Sequence, residues 1–292
     1  MNPLAPHILV RRGLFKRKLI DNFVRFASFL ALAAAIGGMV WILATVAVHG
    51  AKMIDWRFLT EPTKPYGTPD SGVANAIVGT VLITFGAALI ALPAAIAAGI
   101  FLAEFGKNTR IGHLIRFSAN VMMGMPSVLV GLFVYAVLVV PSGNFSGFAG
   151  ALALAIIMFP VVMRTTEDML SMVPDALRES ALALGMTRAR ATIFIVCRTA
   201  RNGLATGVLL SIARVSGETA PLLFTALWSD SWPGNFFTEP TASLPVMITE
   251  YATNSPFAEQ HAAGWGAALV VTAMVLMLNI GCRLIFKEKH HG

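Results

Sequence analysis

Gly203-Leu-Ala-Thr-Gly-Val-Leu-Leu-Ser-Ile-Ala-Arg-Val-Ser-Gly-Glu-Thr-Ala-Pro-Leu-Leu-Phe-Thr-Ala-Leu227 carries just two charges, Arg214 and Glu218, in an otherwise uncharged and mostly apolar run. Its length is near the ~20 residues that a helix needs to cross the hydrocarbon core of a bilayer. Either charge alone near the midplane would cost roughly 2.5–3.5 kcal/mol on insertion scales. A four-residue spacing places both on one helical face, where they can neutralise each other. Gly217 and Pro221 bracket the pair and would let the helix open locally. Such a pair must face protein or a wet pathway, which makes this stretch the first candidate for function.

The rest of the chain repeats the apolar pattern without the charges. Of 292 residues, 56% are hydrophobic and 13% charged, against about 25% charged in a soluble domain. Six apolar blocks lie near residues 25–49, 75–103, 119–140, 147–163, 203–227 and 263–283, the fourth being the shortest, between Gly147 and Arg164. They are too long and too uniformly apolar for barrel strands, so the expected fold is all-α, a polytopic membrane protein with six transmembrane helices. Pro93 in the second block and Pro221 in the fifth predict kinks or openings. The expected organisation is a basic tail over residues 1–24 and one transmembrane domain over 25–288, with a connecting segment at 164–202. No short apolar core followed by a small-residue cleavage site precedes the first block, which therefore serves as its own targeting signal.

A net charge of +7 raises the question of nucleic acid, but no compact basic cluster interleaves with aromatics, and that partner class is set aside. The cations instead mark topology. One side collects Arg11, Arg12, Lys16, Arg17, Lys18 and Arg25, then Lys107, Arg110 and Arg116, then Arg164, Arg178, Arg188, Arg190, Arg198 and Arg201, and finally Arg283, Lys287 and Lys289. The other side has Lys52, Arg57 and Lys64. Both termini are therefore expected in the cytoplasm. Cys197 and Cys282 fall on that same side and read as reduced thiols. The six histidines are scattered and make no ligand pattern with them, and no metal site is expected. Met122, Met123 and Met125 offer thioethers that suit soft metals, yet without cysteine or histidine nearby they read as adaptable packing.

The outer loops differ from the inner ones. Residues 50–74 are rich in Pro, Gly and Thr; residues 228–262 hold Asp230, Glu239, Glu250 and Glu259 with no Lys or Arg, plus Trp228, Trp232, Phe236 and Phe237. Ser243 to Tyr251 reads as a short helix lying at the interface, with Leu244, Met247, Ile248 and Tyr251 on one face. Two readings stand for this region: an aromatic belt over a packed loop, or a docking surface for an extracytoplasmic partner.

Residues 164–202 read as helix, glycine hinge, helix. Pro174 suits a first helical turn and Asp175 places negative charge at its positive end. Leu177, Ala181 and Leu184 make a narrow apolar stripe, Gly185 is a natural stop, and Thr187 can cap a second helix from Arg188. The first helix is too short to be stable alone and needs a partner surface.

Glu179-Ser-Ala-Leu-Ala-Leu-Gly185, followed after nine residues by Ile195, resembles the EAA loop of permease subunits in ATP-binding-cassette (ABC) importers. It matches at Glu179, Ala181, Gly185 and Ile195 and departs at Ser180, at Cys197 (usually Leu) and at Arg198 (usually Pro). Met125-Pro-Ser-Val-Leu-Val-Gly-Leu-Phe-Val-Tyr135, Gly217-Glu-Thr-Ala-Pro-Leu-Leu-Phe-Thr-Ala226, Ala242-Ser-Leu-Pro-Val246 and Ser255-Pro-Phe-Ala-Glu259 resemble the PstA family of phosphate-specific importer permeases.

The resemblance implies six helices in the type I ABC importer permease arrangement, in a bacterial inner membrane. It also implies a pore shared with a PstC-like permease, a PstB-like ATPase dimer and an external PstS-like phosphate-binding protein. Glu179, Ala181 and Gly185 would belong to a coupling helix seated in the ATPase. The chain has no Gly-x-x-x-x-Gly-Lys-Ser/Thr loop, so it is expected to be a transport subunit with no catalytic residues and no cofactor of its own, ATP and Mg being bound by the ATPase. For Arg214, a phosphate pathway would use its planar fork of donors, with Glu218 holding the arginine when phosphate is absent and Thr219 and Ser216 offering hydroxyls. The plainer reading is an ion pair that ties spans together. A permease for molybdate, sulfate or phosphonate remains the neighbouring alternative. An ion-driven secondary transporter would show two repeated halves, and an enzyme a cluster of nucleophile, base or metal ligands at one face; the sequence offers neither.

Overall fold

The structure is a computed structural model and describes residues 11–68 and 71–285. The first ten residues of the basic tail, the Cys282 side chain, and Lys287, Lys289, His290 and His291 lie outside the described residues. Two compact units divide at His49/Gly50. The first is α1 (Arg11–Gly50), one 40-residue helix with no polar face from Phe26 to Val48. It starts inside the stretch expected to be a tail, because Arg11 to Asp21 alternate basic and apolar residues without a Gly-Pro break after Gly13.

The second unit begins with α2 (Trp56–Thr60), capped by the Asp55 carboxylate, which accepts from the Phe58 N–H at 2.6 Å. Helix α3 (Ala74–Ile100) runs through Pro93 and ends in a π-helical turn, Phe101–Phe105. Then come α4 (Arg110–Gly124), α5 (Ser127–Val134), a π turn at Tyr135–Val139 and the short α6 (Val140–Ser142). Helix α7 (Gly147–Ser171) is followed by α8 (Asp175–Ala183), α9 (Arg188–Ala191), a π turn at Thr192–Val196 and α10 (Cys197–Val215). Helices α11 (Ala220–Leu223) and α12 (Leu244–Thr249) are short, a π turn covers Glu250–Asn254, and α13 (Ala258–Ile285) closes the chain. Among the described residues there is no strand.

Helices α3 and α7 make the centre of the unit. Ala87, Ala91, Ala95 and Gly99 recur every four residues along α3 and are buried, facing Ala151, Ala155, Met158 and Val162 of α7. Small residues at that spacing let two backbones approach closely, and dispersion then substitutes for the hydrophobic drive that lipid does not supply. A second cluster joins Phe58, Val73 and Ala76 to Leu244, Met247, Tyr251 and Ala267. A third, at the other end of α7, joins Leu170 and Val173 to Val196 and Ala200.

Among the described residues five helices are long and apolar enough to cross a membrane, and six spans result if the bent pair α4 and α5–α6 is one of them. Two of the expected spans are corrected. The third, expected over 119–140, breaks at Met125–Pro126, where its halves meet at 101°; Pro126 removes an N–H and pushes Met125 to an extended conformation. The fifth, expected over 203–227, starts earlier and stops earlier, at Arg188–Val215. Its arginine-rich beginning hid the start, and the Ser216-Gly217 pair followed by Pro221 ends the helix. Ser243–Tyr251 does start a short helix, but Leu244 and Met247 are fully enclosed and Tyr251 nearly so. It therefore packs into the protein rather than lying in the interface, and burial pushes the Tyr251 phenol up to about 12.

Candidate functional site

Arg214 is the last-turn residue of α10, a position where a cation meets the negative end of the helix dipole. The chain then breaks: Ser216 caps α10, Gly217 is exposed, and α11 restarts only at Ala220. Glu218 has therefore left the helix, and the expected sharing of one helical face is corrected. Among the described residues Arg214 and Glu218 form no ion pair with each other, and neither has another ion-pair or hydrogen-bond partner through its side chain. Arg214 is exposed, and Glu218 and Thr219 are half-buried. Ser216 faces elsewhere. It is buried, its hydroxyl donates to the Ala213 carbonyl at 2.8 Å, and it lines an apolar crevice with Thr84, Ile212 and Met274.

The second half of the broken third span abuts this break. A Cβ on Gly131 of α5 would lie 2.6 Å from the Pro221 Cα, so the two backbones touch only because residue 131 is glycine. The structure thus gathers Arg214, Glu218 and Thr219 on an irregular segment, continuous with a long apolar helix and packed against a bent one. Non-helical backbone at membrane depth is tolerated where it is enclosed by protein or lines a watery cavity.

The other expected group lies apart. Helix α8 leads to Gly185, whose φ of +83° closes it in the left-handed region. The Met186 N–H reaches back to the Ala181 carbonyl at 3.1 Å. Thr187 then caps α9 by accepting from the Arg190 N–H. Ala181 is buried against the rest of the unit, whereas Glu179 and Gly185 face outward. The 28-residue run Arg188–Val215 separates this end from the Arg214 end by about 40 Å of helix at 1.5 Å per residue.

Two arginine-centred clusters beside α8 escaped the sequence reading. Arg178 donates to Glu104 Oε1 from Nη2 at 2.8 Å and from Nε at 3.0 Å, and also to the Leu170 carbonyl at 2.7 Å, the Val173 carbonyl and Asp175. The bond to Glu104 raises the Arg178 pKa above the ordinary arginine value. Arg116 Nε donates to Glu167 Oε1 at 2.6 Å, and Arg164 to Glu167 Oε2 at 2.9 Å. The available signal was Glu104 and Glu167 themselves, acids close in sequence to the basic residues Lys107, Arg110 and Arg164. No group of three or more His, Cys, Asp or Glu able to hold a metal occurs among the described residues.

A family profile described as "Binding-protein-dependent transport system inner membrane component" matches residues 95–287, which defines the class: a multi-pass membrane component of an ABC transport system. The phosphate transport system permease protein PstA of Yersinia pestis is 43% identical over 270 residues, covering 91% of each chain. PstA of Pasteurella multocida is 42% identical, covering 94% of this chain and 96% of its own. A probable PstA of Methanocaldococcus jannaschii is 39% identical, covering 93% and 95%. The chain belongs to the PstA family. Among solved structures, an inward-facing MetNI methionine ABC transporter matches with a TM-score of 0.62 at 15% identity, over 73% of this chain and 93% of that one. At that identity the likeness speaks for the fold, which is that of an ABC importer permease.

Proposed function

We propose that this chain is the permease subunit through which an ATP-driven importer passes inorganic phosphate into the cytoplasm, with Arg214 on the anion's route. The observation that carries the reading is an exposed, unpaired arginine at a helix break, in a chain whose relatives are phosphate permeases. Left facing lipid, such a charge would cost roughly 2.5–3.5 kcal/mol. A phosphate oxyanion meeting the guanidinium fork offsets that cost and gains charge-assisted hydrogen bonds. Glu218 and Thr219, on the same irregular segment, are close enough in sequence to hold the arginine between passages. Ser216 joins them only if the break rearranges, since its hydroxyl is spent on Ala213.

In this reading a PstC-like permease completes the pore, a PstS-like protein delivers phosphate outside, and a PstB-like ATPase dimer binds ATP and Mg. The exposed Glu179 of α8 and Gly185 just past its end meet the ATPase, while the buried Ala181 seats α8 on its own chain. The excess of Lys and Arg on that side supports a cytoplasmic location for both termini. The test is Arg214→Gln in the complete transporter, reconstituted in vesicles. Uptake should fall to background while the complex assembles in normal yield and still hydrolyses ATP. Failure to assemble would instead make Arg214 a tie between subunits.

A further inference from the structure

We infer that Glu104 is where motion of α8 enters the membrane helices, and that the Arg178–Glu104 and Arg116–Glu167 pairs act in series to carry it to the hinge at Met125–Pro126. Helix α8 has little apolar grip on the unit it serves. Of its nine residues only Ala181 is buried, and Leu177 and Leu182 are both 41% exposed. What holds it is Arg178, whose donors end on three separate elements: Glu104 in the π turn after α3, the Leu170 and Val173 carbonyls at the end of α7, and Asp175 of α8 itself.

The same π turn is also gripped by α4. Arg116 of α4 donates to the Leu102 carbonyl at 3.0 Å and the Lys107 carbonyl at 3.3 Å, and its Nε takes Glu167 of α7. The side chains of Glu104 and Glu167 are 10% and 9% exposed, so both pairs are shielded from the screening that weakens surface bridges. Removing Arg178 strips the buried Glu104 carboxylate of its bridge, and removing Arg116 leaves the buried Glu167 with Arg164 alone; either loss falls on an enclosed charge, which makes each joint stiff. Helix α8, the ends of α3 and α7, and all of α4 therefore form one body. That body ends nine residues beyond Arg116, at the 101° bend, the nearest place where the backbone can turn. Glu104 and Arg178 are positioning residues: they touch no cargo and no nucleotide.

This inference rests on the coupling role proposed for α8, and the experiment separates the two. The complete transporter (both permeases, ATPase and phosphate-binding protein) is reconstituted with Glu104→Gln, Arg178→Gln and the double variant, and likewise with Arg116→Gln, Glu167→Gln and their double. Two ratios are read: phosphate moved per ATP hydrolysed, and ATPase rate with loaded binding protein over rate without it. Neither depends on yield. Each single variant should lower both ratios about ten-fold, and each double should be no worse than its worse single, because the residues share one link. Unchanged ratios in the single variants, or losses that multiply in the doubles, would overturn the inference. A wild-type complex that responds to its binding protein but moves no phosphate would sink the proposed cargo alone, since the second ratio still reads the linkage.

Discussion

At the scale of single residues, the polar groups inside this protein divide into those that are satisfied and those left open. Asn75 is fully buried: its carbonyl oxygen accepts from the Thr63 N–H and hydroxyl, both at 3.0 Å, and its amide donates to the Ser229 carbonyl at 3.0 Å. Asn75→Leu leaves the Thr63 N–H buried without an acceptor, at about 1–3 kcal/mol for the orphaned group. A lower melting temperature in detergent, with uptake per folded molecule kept, is the expected result. Arg214 is the opposite case, open in the isolated chain. Arg214→Lys keeps the charge but loses the planar fork. Uptake should be weakened with a raised KM for phosphate, whereas full activity would show that a point charge suffices.

At the scale of elements, Gly185 sets the exit of α8. Its φ of +83° is one that a β-branched side chain adopts only under strain of about 1–3 kcal/mol. Gly185→Val should leave ATP hydrolysis running without uptake at normal expression, and Gly185→Asn, which tolerates that backbone, should stay coupled. Nothing lies within 4 Å of a Cβ at this position, so the effect comes from the backbone and not from a clash. The α8–α9 pair was legible in the sequence because caps and stops are local signals, carried by Asp175, Gly185 and Thr187. The opening near Gly217 and Pro221 was legible too, from those two residues, but the break at Met125–Pro126 was not, because apolarity measures what a segment dissolves in, not whether its backbone is continuous. Met125-Pro126 is a break inside a stretch with no charged residue from Asn120 to Val140. The arginine clusters were hidden for another reason: Arg178 and Glu104 are joined over 74 residues of sequence. Near span ends each charge alone reads as a topology marker.

At the scale of the whole molecule, the charge bias makes a prediction about sidedness. With Cys197 and Cys282 replaced by serine, a cysteine at Leu184 (85% exposed) should react with an impermeant maleimide only from the cytoplasm, and one at Phe237 (66% exposed) only from outside. Adding the ATPase should protect position 184, and the reverse labelling pattern would reject the orientation. The two buried acids also impose an order on biosynthesis. Glu104 leaves the ribosome 74 residues before Arg178, and Arg116 leaves it 51 residues before Glu167. At 5–20 residues per second those intervals last about 4–15 s and 3–10 s. During them the nascent chain holds a carboxylate and a guanidinium at the membrane surface that its finished fold will enclose. Helices α3 and α4 must therefore wait, half-settled, until α7 and then α8 arrive, and the last ion pair to close in this region is the one that fastens α8.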